Sequence, residues 1–165
     1  MISTKEELNS VITLEKRGYT RNSLIHRYLR ELRICEYYKN CGGGLKFRVH
    51  NFYRNKLGLL LGYEIPLNVF EEGLHIYHSG SIVVNDTSHI GKNCVIIGSV
   101  CIGSKNGGSG PTIGDNCELG INSVIIGDIR IGDNVFVGAG AVVTKNFNEN
   151  NVSLAGVPAK IVAKR

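Results

Sequence analysis

Between Ile90 and Val143 large aliphatic residues stand six apart: Ile90, Ile96, Ile102, then Ile113, Leu119, Ile125, Ile131, Val137 and Val143. A period of six is neither the strand's two nor the helix's ~3.6, so it marks a repeat architecture. Four residues after most of these comes a second inward-type residue: Cys94, Val100, Cys117, Ser123, Ile129, Val135 or Ala141. Each hexad supplies one short strand and one turn, and three hexads make one triangular coil. Stacked coils bury the aliphatic column, with Gly and Asn at corners that need positive φ. An ordinary Ile-Gly-rich sheet would not hold nine positions in phase.

The period breaks once, between Ile102 and Ile113, where the insert Ser104-Lys-Asn-Gly-Gly-Ser-Gly-Pro-Thr112 must leave the coil as a loop. It lacks the Gly-Lys-Ser/Thr ending of a phosphate-binding loop and reads instead as a flexible wall over a site.

Ahead of the repeat the period turns helical. Residues 3–17 predict a short helix with Ser3 or Thr4 as N-cap and Glu6 and Glu7 in its first turn. A second helix is expected from Asn22 to Asn40, with a stripe of Ile25, Leu29, Leu32 and Cys35/Glu36. A third, Leu45 to Leu61, offers Phe47, Phe52, Leu57, Leu60 and Leu61 as apolar anchors before Gly62 and Pro66 end it. An open solenoid end must be covered, so residues 1–62 form an N-terminal α-helical cap and residues 63–165 the β domain with its tail. The tail, Val152 to Arg165, caps the other end or crosses to a neighbour.

The cap holds twelve Lys or Arg against five Glu, while residues 63–165 hold seven against nine acids. That excess suits peripheral contact with an anionic membrane or an acidic substrate; a merely solvated helical face explains it equally well. No motif points to nucleic acid. The longest apolar run, Leu57 to Leu61, cannot span a bilayer, and no leader pattern opens the chain. Five cysteines without metal-type spacing argue for a reducing compartment, the cytoplasm.

Between cap and coils lies Leu74-His-Ile-Tyr-His-Ser-Gly-Ser-Ile-Val-Val-Asn85, where Val84 is in phase with Ile90 and the register is lost before it. His75 and His78 sit at this irregular boundary, and His89 should face outward. Too few ligands gather there for zinc. A single histidine acting as general base is more economical.

The block from Tyr63 to Lys164 resembles the hexapeptide-repeat acyltransferases, in their serine acetyltransferase-like branch. The matching pieces are Ile76-Tyr-His78-Ser-Gly80-Ser-Ile-Val-Val84, the hexads, the Gly-rich insert, Val142-Val-Thr-Lys145 and Gly156-Val-Pro-Ala-Lys-Ile161. The resemblance implies a mainly β, left-handed parallel β-helix, a homotrimer, and acetyl-CoA lying between neighbouring subunits, with no metal required. It places His78 as the catalytic base and puts Gly103, Ile121, Ala139, Thr144, Lys145 and Lys160 along the CoA track; His75, the runner-up for the base, falls outside the matching motif. The acid that would orient the histidine is Glu64 or falls at Tyr63.

Serine acetyltransferases carry an Asp just before the motif histidine and an Arg-His pair before the Pro that closes the insert; here Tyr77, Ser109 and Gly110 stand there. The expected acceptor is therefore a sugar hydroxyl in surface polysaccharide synthesis, lipid-linked acceptors included, with Tyr77, Asn85 and Glu64 as contacts. L-Serine, for cysteine synthesis, is the alternative. A non-catalytic β-helix scaffold, or a metal-dependent hydratase on the same fold, is a reading of another class.

Overall fold

Three faces per coil require three parallel sheets, and a computed structural model of the chain, describing residues 1–19 and 23–165, contains them. Three helices come first: α1 (Lys5–Glu15), α2 (Leu24–Asn40) and α3 (Leu45–Leu61). β1 (Tyr63–Glu64) leads in, and the opening coil carries β2 (His75–Ile76) and β3 (Ile82–Val84). The next has β4 (His89–Ile90), β5 (Val95–Ile96) and β6 (Val100–Gly103), and the third β7 (Thr112–Ile113), β8 (Glu118–Leu119) and β9 (Ser123–Ile126). Then come β10 (Arg130–Ile131), β11 (Phe136–Val137) and β12 (Val142–Val143), followed by β13 (Val152–Ala155) and β14 (Lys160–Lys164).

The sheets run β1-β3-β6-β9-β12, β4-β7-β10 and β2-β5-β8-β11-β13-β14, called here the first, second and third. Ile113 pairs with Ile131 and Ile125 with Val143, three hexads on, which is the expected left-handed triangular β-helix. Ile76, Ile82, Ile90, Ile96, Ile102, Ile113, Leu119 and Ile125 are almost wholly buried. Each contributes about 1.5–3 kcal/mol of apolar burial. The second inward column, Cys94 to Ala141, is buried as well. Asn93, Asn116, Asn134 and Asn151 all take positive φ at one corner, where Asn93 donates to Asn116 and Asn134 to Asn151 through their amides.

The register is not lost before Val84. Ile76 pairs with Ile96 and Ile82 with Val100, so the opening coil is in step. Its corner after β2 merely holds two more residues than the same corner one coil on, and that surplus carries His78. The tail crosses nowhere within the chain: β14 turns back antiparallel on β13.

The helices differ from expectation in detail. α1 is shorter than 3–17, with Thr4 as N-cap in a capping box with Glu7. α2 is capped by Ser23; its expected start at Asn22 lies outside the described residues. α3 has the expected bounds, and of its expected anchors Phe47 and Leu57 are half-buried. Leu61 is buried, whereas Phe52 and Leu60, expected as anchors, are 55% and 68% exposed.

A buried charge cluster ties the cap to the solenoid. The Arg33 guanidinium donates to Glu15 at 2.6 Å, to Glu36 at 2.8 Å, and to the Phe70 and Glu71 carbonyls. Glu15 in turn accepts the N–H groups of Gly73 and Leu74, just before β2. Burial pushes the Glu15 carboxyl up, against the opposing pull of Arg33. The planar fork of arginine can satisfy two carboxylates and two carbonyls at once, which lysine could not.

Candidate functional site

His78 stands at the long corner between β2 and β3, with an exposed side chain and a tethered backbone. The Tyr63 hydroxyl donates to the His78 carbonyl at 3.1 Å. Tyr77 N–H donates to Ile96 O, Gly80 N–H to Leu61 O, and Ile82 N–H to Gly62 O. Gly80 has φ +148°, and a β-carbon there would sit 2.5 Å from Ser99 Oγ, so the bulge closes only over glycine. The end of α3 and the coil below therefore fix the corner and leave the imidazole free.

The outer edge of β2 is finished by a residue that sequence reasoning missed. Tyr19 Oη donates to the Ile76 carbonyl at 2.6 Å and accepts the Ile76 N–H at 2.7 Å, standing in for a missing strand. Burial raises this phenol to about 12. Its ring stacks on His75 at 4.6 Å, and His75 meets Tyr77 edge-on at 4.7 Å. Burial lowers the His75 pKa, so this ring is kept neutral and packed. Nothing in the hexad pattern signals Tyr19, because it lies outside the repeat.

Tyr63 and Glu64 divide as adjacent strand residues must: Tyr63 points into the core and Glu64 outward, opposite Val83. Glu64 lines a cavity of about 740 Å³ between α3 and the first sheet, together with Arg54, Tyr63, Ser81 and Val83. Among the described residues no carboxylate hydrogen-bonds His78. Asn85 lies at the next corner, its carbonyl oxygen accepting from Thr87 N–H and Oγ1 and its amide donating to Ser104 Oγ. The insert folds back onto this turn, with Gly110 N–H donating to Thr87 Oγ1 at 2.7 Å. Gly110 and Pro111 are buried, so the far end of this wall is fixed.

The residues expected along the CoA track fall into two groups. Successive coils stack at the corner between the third and first sheets. There Gly98 abuts Ile121, Gly120 abuts Ala139, and Gly138 abuts Ala155. Ile121 and Ala139 thus share the edge that begins at His78, and Lys160, paired with Ala155, continues it. Gly103 pairs with Ile126 at the opposite border of the first sheet, where Thr144 and Lys145 leave β12. A four-residue strand separates the two edges, about 13 Å. Ile121, Ala139, Thr144, Lys145 and Lys160 are all exposed. Among the described residues no group of three or more His, Cys, Asp or Glu is placed to hold a metal ion.

Comparison with known proteins adds to this geometry. A family model described as bacterial transferase hexapeptide (six repeats) matches residues 110–145. A serine acetyltransferase of Synechococcus elongatus is 32% identical over 108 residues, 63% of this chain and 44% of that protein. One from Buchnera aphidicola is 27% identical over 174 residues, 95% of this chain and 65% of its own length. The chain thus spans about half the length of the curated relatives it matches. Among solved structures, serine acetyltransferase from Brucella abortus superposes with a TM-score of 0.82 at 22% identity, covering 97% of this chain and 70% of that one. Another serine acetyltransferase, solved in complex with CoA, gives 0.79 at 20% identity over 96% of this chain and 71% of its own.

These findings correct the expected acceptor. The curated relatives are serine acetyltransferases, so the sugar reading falls. It rested on charges missing at Tyr77, Ser109 and Gly110, and a missing charge weakens one ligand without specifying another.

Proposed function

The chain belongs to the hexapeptide-repeat transferases, in their serine acetyltransferase-like branch, and from that premise we propose that it moves an acetyl group from acetyl-CoA to the hydroxyl of L-serine. The observation that carries this reading is His78, free at the tip of a corner whose backbone is tied on every side. When bound, acetyl-CoA supplies an acetyl group already activated as a thioester. His78 accepts the serine proton as the hydroxyl oxygen attacks and returns it to the departing thiolate, so the base is restored each turnover. A positioned base of this kind contributes about 10²–10⁴-fold.

The small residues along the His78 edge suit an extended chain of amides, and the exposed Lys145 and Lys160 suit its phosphates. Because these residues occupy two edges of the first sheet, the reading includes a homotrimer in which one edge of a subunit faces the other edge of its neighbour. Glu64 is the carboxylate offered to the serine ammonium. Tyr77, Ser109 and Gly110 supply no charge. Each charge-assisted hydrogen bond they forgo is worth about 1.5–3 kcal/mol, so serine is held weakly.

Release of CoA with L-serine as acceptor, with product identified by mass spectrometry, tests the proposal. O-Acetylserine should form, and His78→Ala should lower kcat by about 10²-fold or more with the KM for acetyl-CoA near wild type. His89→Ala should do little, since His89 faces outward toward Glu71 from β4 of the second sheet. Folded protein that gives no O-acetylserine at saturating serine would overturn the reading.

A further inference from the structure

α3 is apolar on two sides. Its inward side carries Phe47, His50, Arg54, Leu57, Gly58 and Leu61, while Leu45, Val49, Phe52, Tyr53, Leu59 and Leu60 face outward. Leu45, Leu59 and Leu60 are 77%, 87% and 68% exposed, and Phe52 and Tyr53 just over half. The outward residues recur at helical spacing along seventeen residues, about 25 Å of helix. A stripe of that length on a soluble surface marks an interaction site.

Charge decides which partner fits. α3 contains Lys46, Arg48, Arg54 and Lys56 and no Asp or Glu. Beside it, Arg27, Arg30, Lys56, Tyr53, Leu57 and Leu60 line a depression of about 260 Å³ between α2 and α3. The carboxylate there, Glu31, is engaged by Arg30 at 3.4 Å and His50 at 2.6 Å. A second copy docking α3 on α3 would set Lys46, Arg48 and Lys56 against their own kind with no acid to receive them. An anionic bilayer meets both demands, taking leucines and aromatics into the acyl boundary and lysines and arginines among the phosphates.

We infer that the outward face of α3, with the basic groove it shares with α2, is a docking surface for an anionic phospholipid membrane, on which the protein lies peripherally. The face adjoins the candidate site only at Leu59, which also lines the cavity beside Glu64, and the inference does not depend on the acceptor.

The sequence contains no Trp, so Tyr53→Trp places a single reporter on the stripe of the full chain. Its fluorescence should shift to the blue with vesicles of phosphatidylcholine plus phosphatidylglycerol, stay unchanged with phosphatidylcholine alone, and return in high salt. In sedimentation with the same vesicles, Lys46→Gln with Lys56→Gln should weaken binding about thirty-fold. Phe52→Ser with Leu60→Ser should abolish it. All four positions face solvent, so the helical circular dichroism of these variants should match wild type. Absence of binding to anionic vesicles, or equal binding to both kinds, overturns the inference. So does a lipid-free assembly that dissociates in the Phe52/Leu60 variant, which would give the face to a second copy.

Discussion

The hydroxyl of Tyr63, itself in the core, holds the backbone carbonyl of His78 at 3.1 Å, so a buried phenol sets the height of an exposed imidazole. Burial pushes that phenol well above its ordinary value, so it remains a donor throughout the working pH range. Tyr63→Phe keeps the packing and deletes the tether. It should cost about 1 kcal/mol of stability and lower kcat about tenfold, with the KM for acetyl-CoA unchanged. Steady-state kinetics beside urea denaturation separates the two effects.

Arg33 is the hub of the buried charge cluster, and its removal strands two carboxylates. Arg33→Met should destabilise by about 3–5 kcal/mol in urea unfolding. Adding Glu15→Leu to that variant should recover part of the loss, because one uncompensated charge disappears with it. A loss below 1 kcal/mol in the single variant would show that water reaches the cluster.

The two lowered histidines give the fold a pH signature. Burial lowers His75, and burial with Lys16 and Arg30 lowers His26. Both are therefore protonated more readily unfolded than folded. Their contribution to stability is complete above about pH 6.5 and is lost as pH falls through the folded values. His75→Phe, which preserves the stack on Tyr19, should flatten part of that decline in denaturation midpoints measured from pH 7.5 down to 5. A variant as pH-sensitive as wild type would assign the decline to other groups.

Lys145 and Lys160 lie on different edges, so each should contact the cosubstrate independently. Alanine at either should weaken acetyl-CoA about tenfold at low salt, less at high salt. Titration with 3′-dephospho-acetyl-CoA then identifies which lysine reads that phosphate: its variant should show little further loss. Losses that multiply in the double variant confirm independence.

Much of this was legible in the sequence, and the gaps have physical causes. Nine aliphatic residues in phase define the coil, because a stacked solenoid tolerates no drift in its inward column. The insert after Ile102 leaves as a loop for the same reason. The opening coil read as irregular because two surplus residues at the His78 corner displace every position before them by a third of a hexad, although its pairing is regular. α3 was misjudged because a helix with apolar residues on two sides gives one periodicity and two choices of face. Phe52 and Leu60 belong to the side that leaves the protein. Tyr19 was invisible because its partner is a backbone group 57 residues away, and Arg33 because its partners, Glu15, Glu36 and two distant carbonyls, follow no local period. The acceptor was misread because absent anchors are not a specificity.

The division of the candidate residues between two borders of the first sheet has a genetic corollary. In a homotrimer of the proposed kind, a chain crippled at the His78 edge still offers a sound Gly103–Lys145 edge, and a chain crippled at that second edge still offers His78. Two defective alleles, each silent alone, should therefore complement one another when co-expressed, since mixed trimers contain junctions where both contributing borders are intact. Activity that reappears on mixing two dead proteins would be the signature of a centre that no single polypeptide owns.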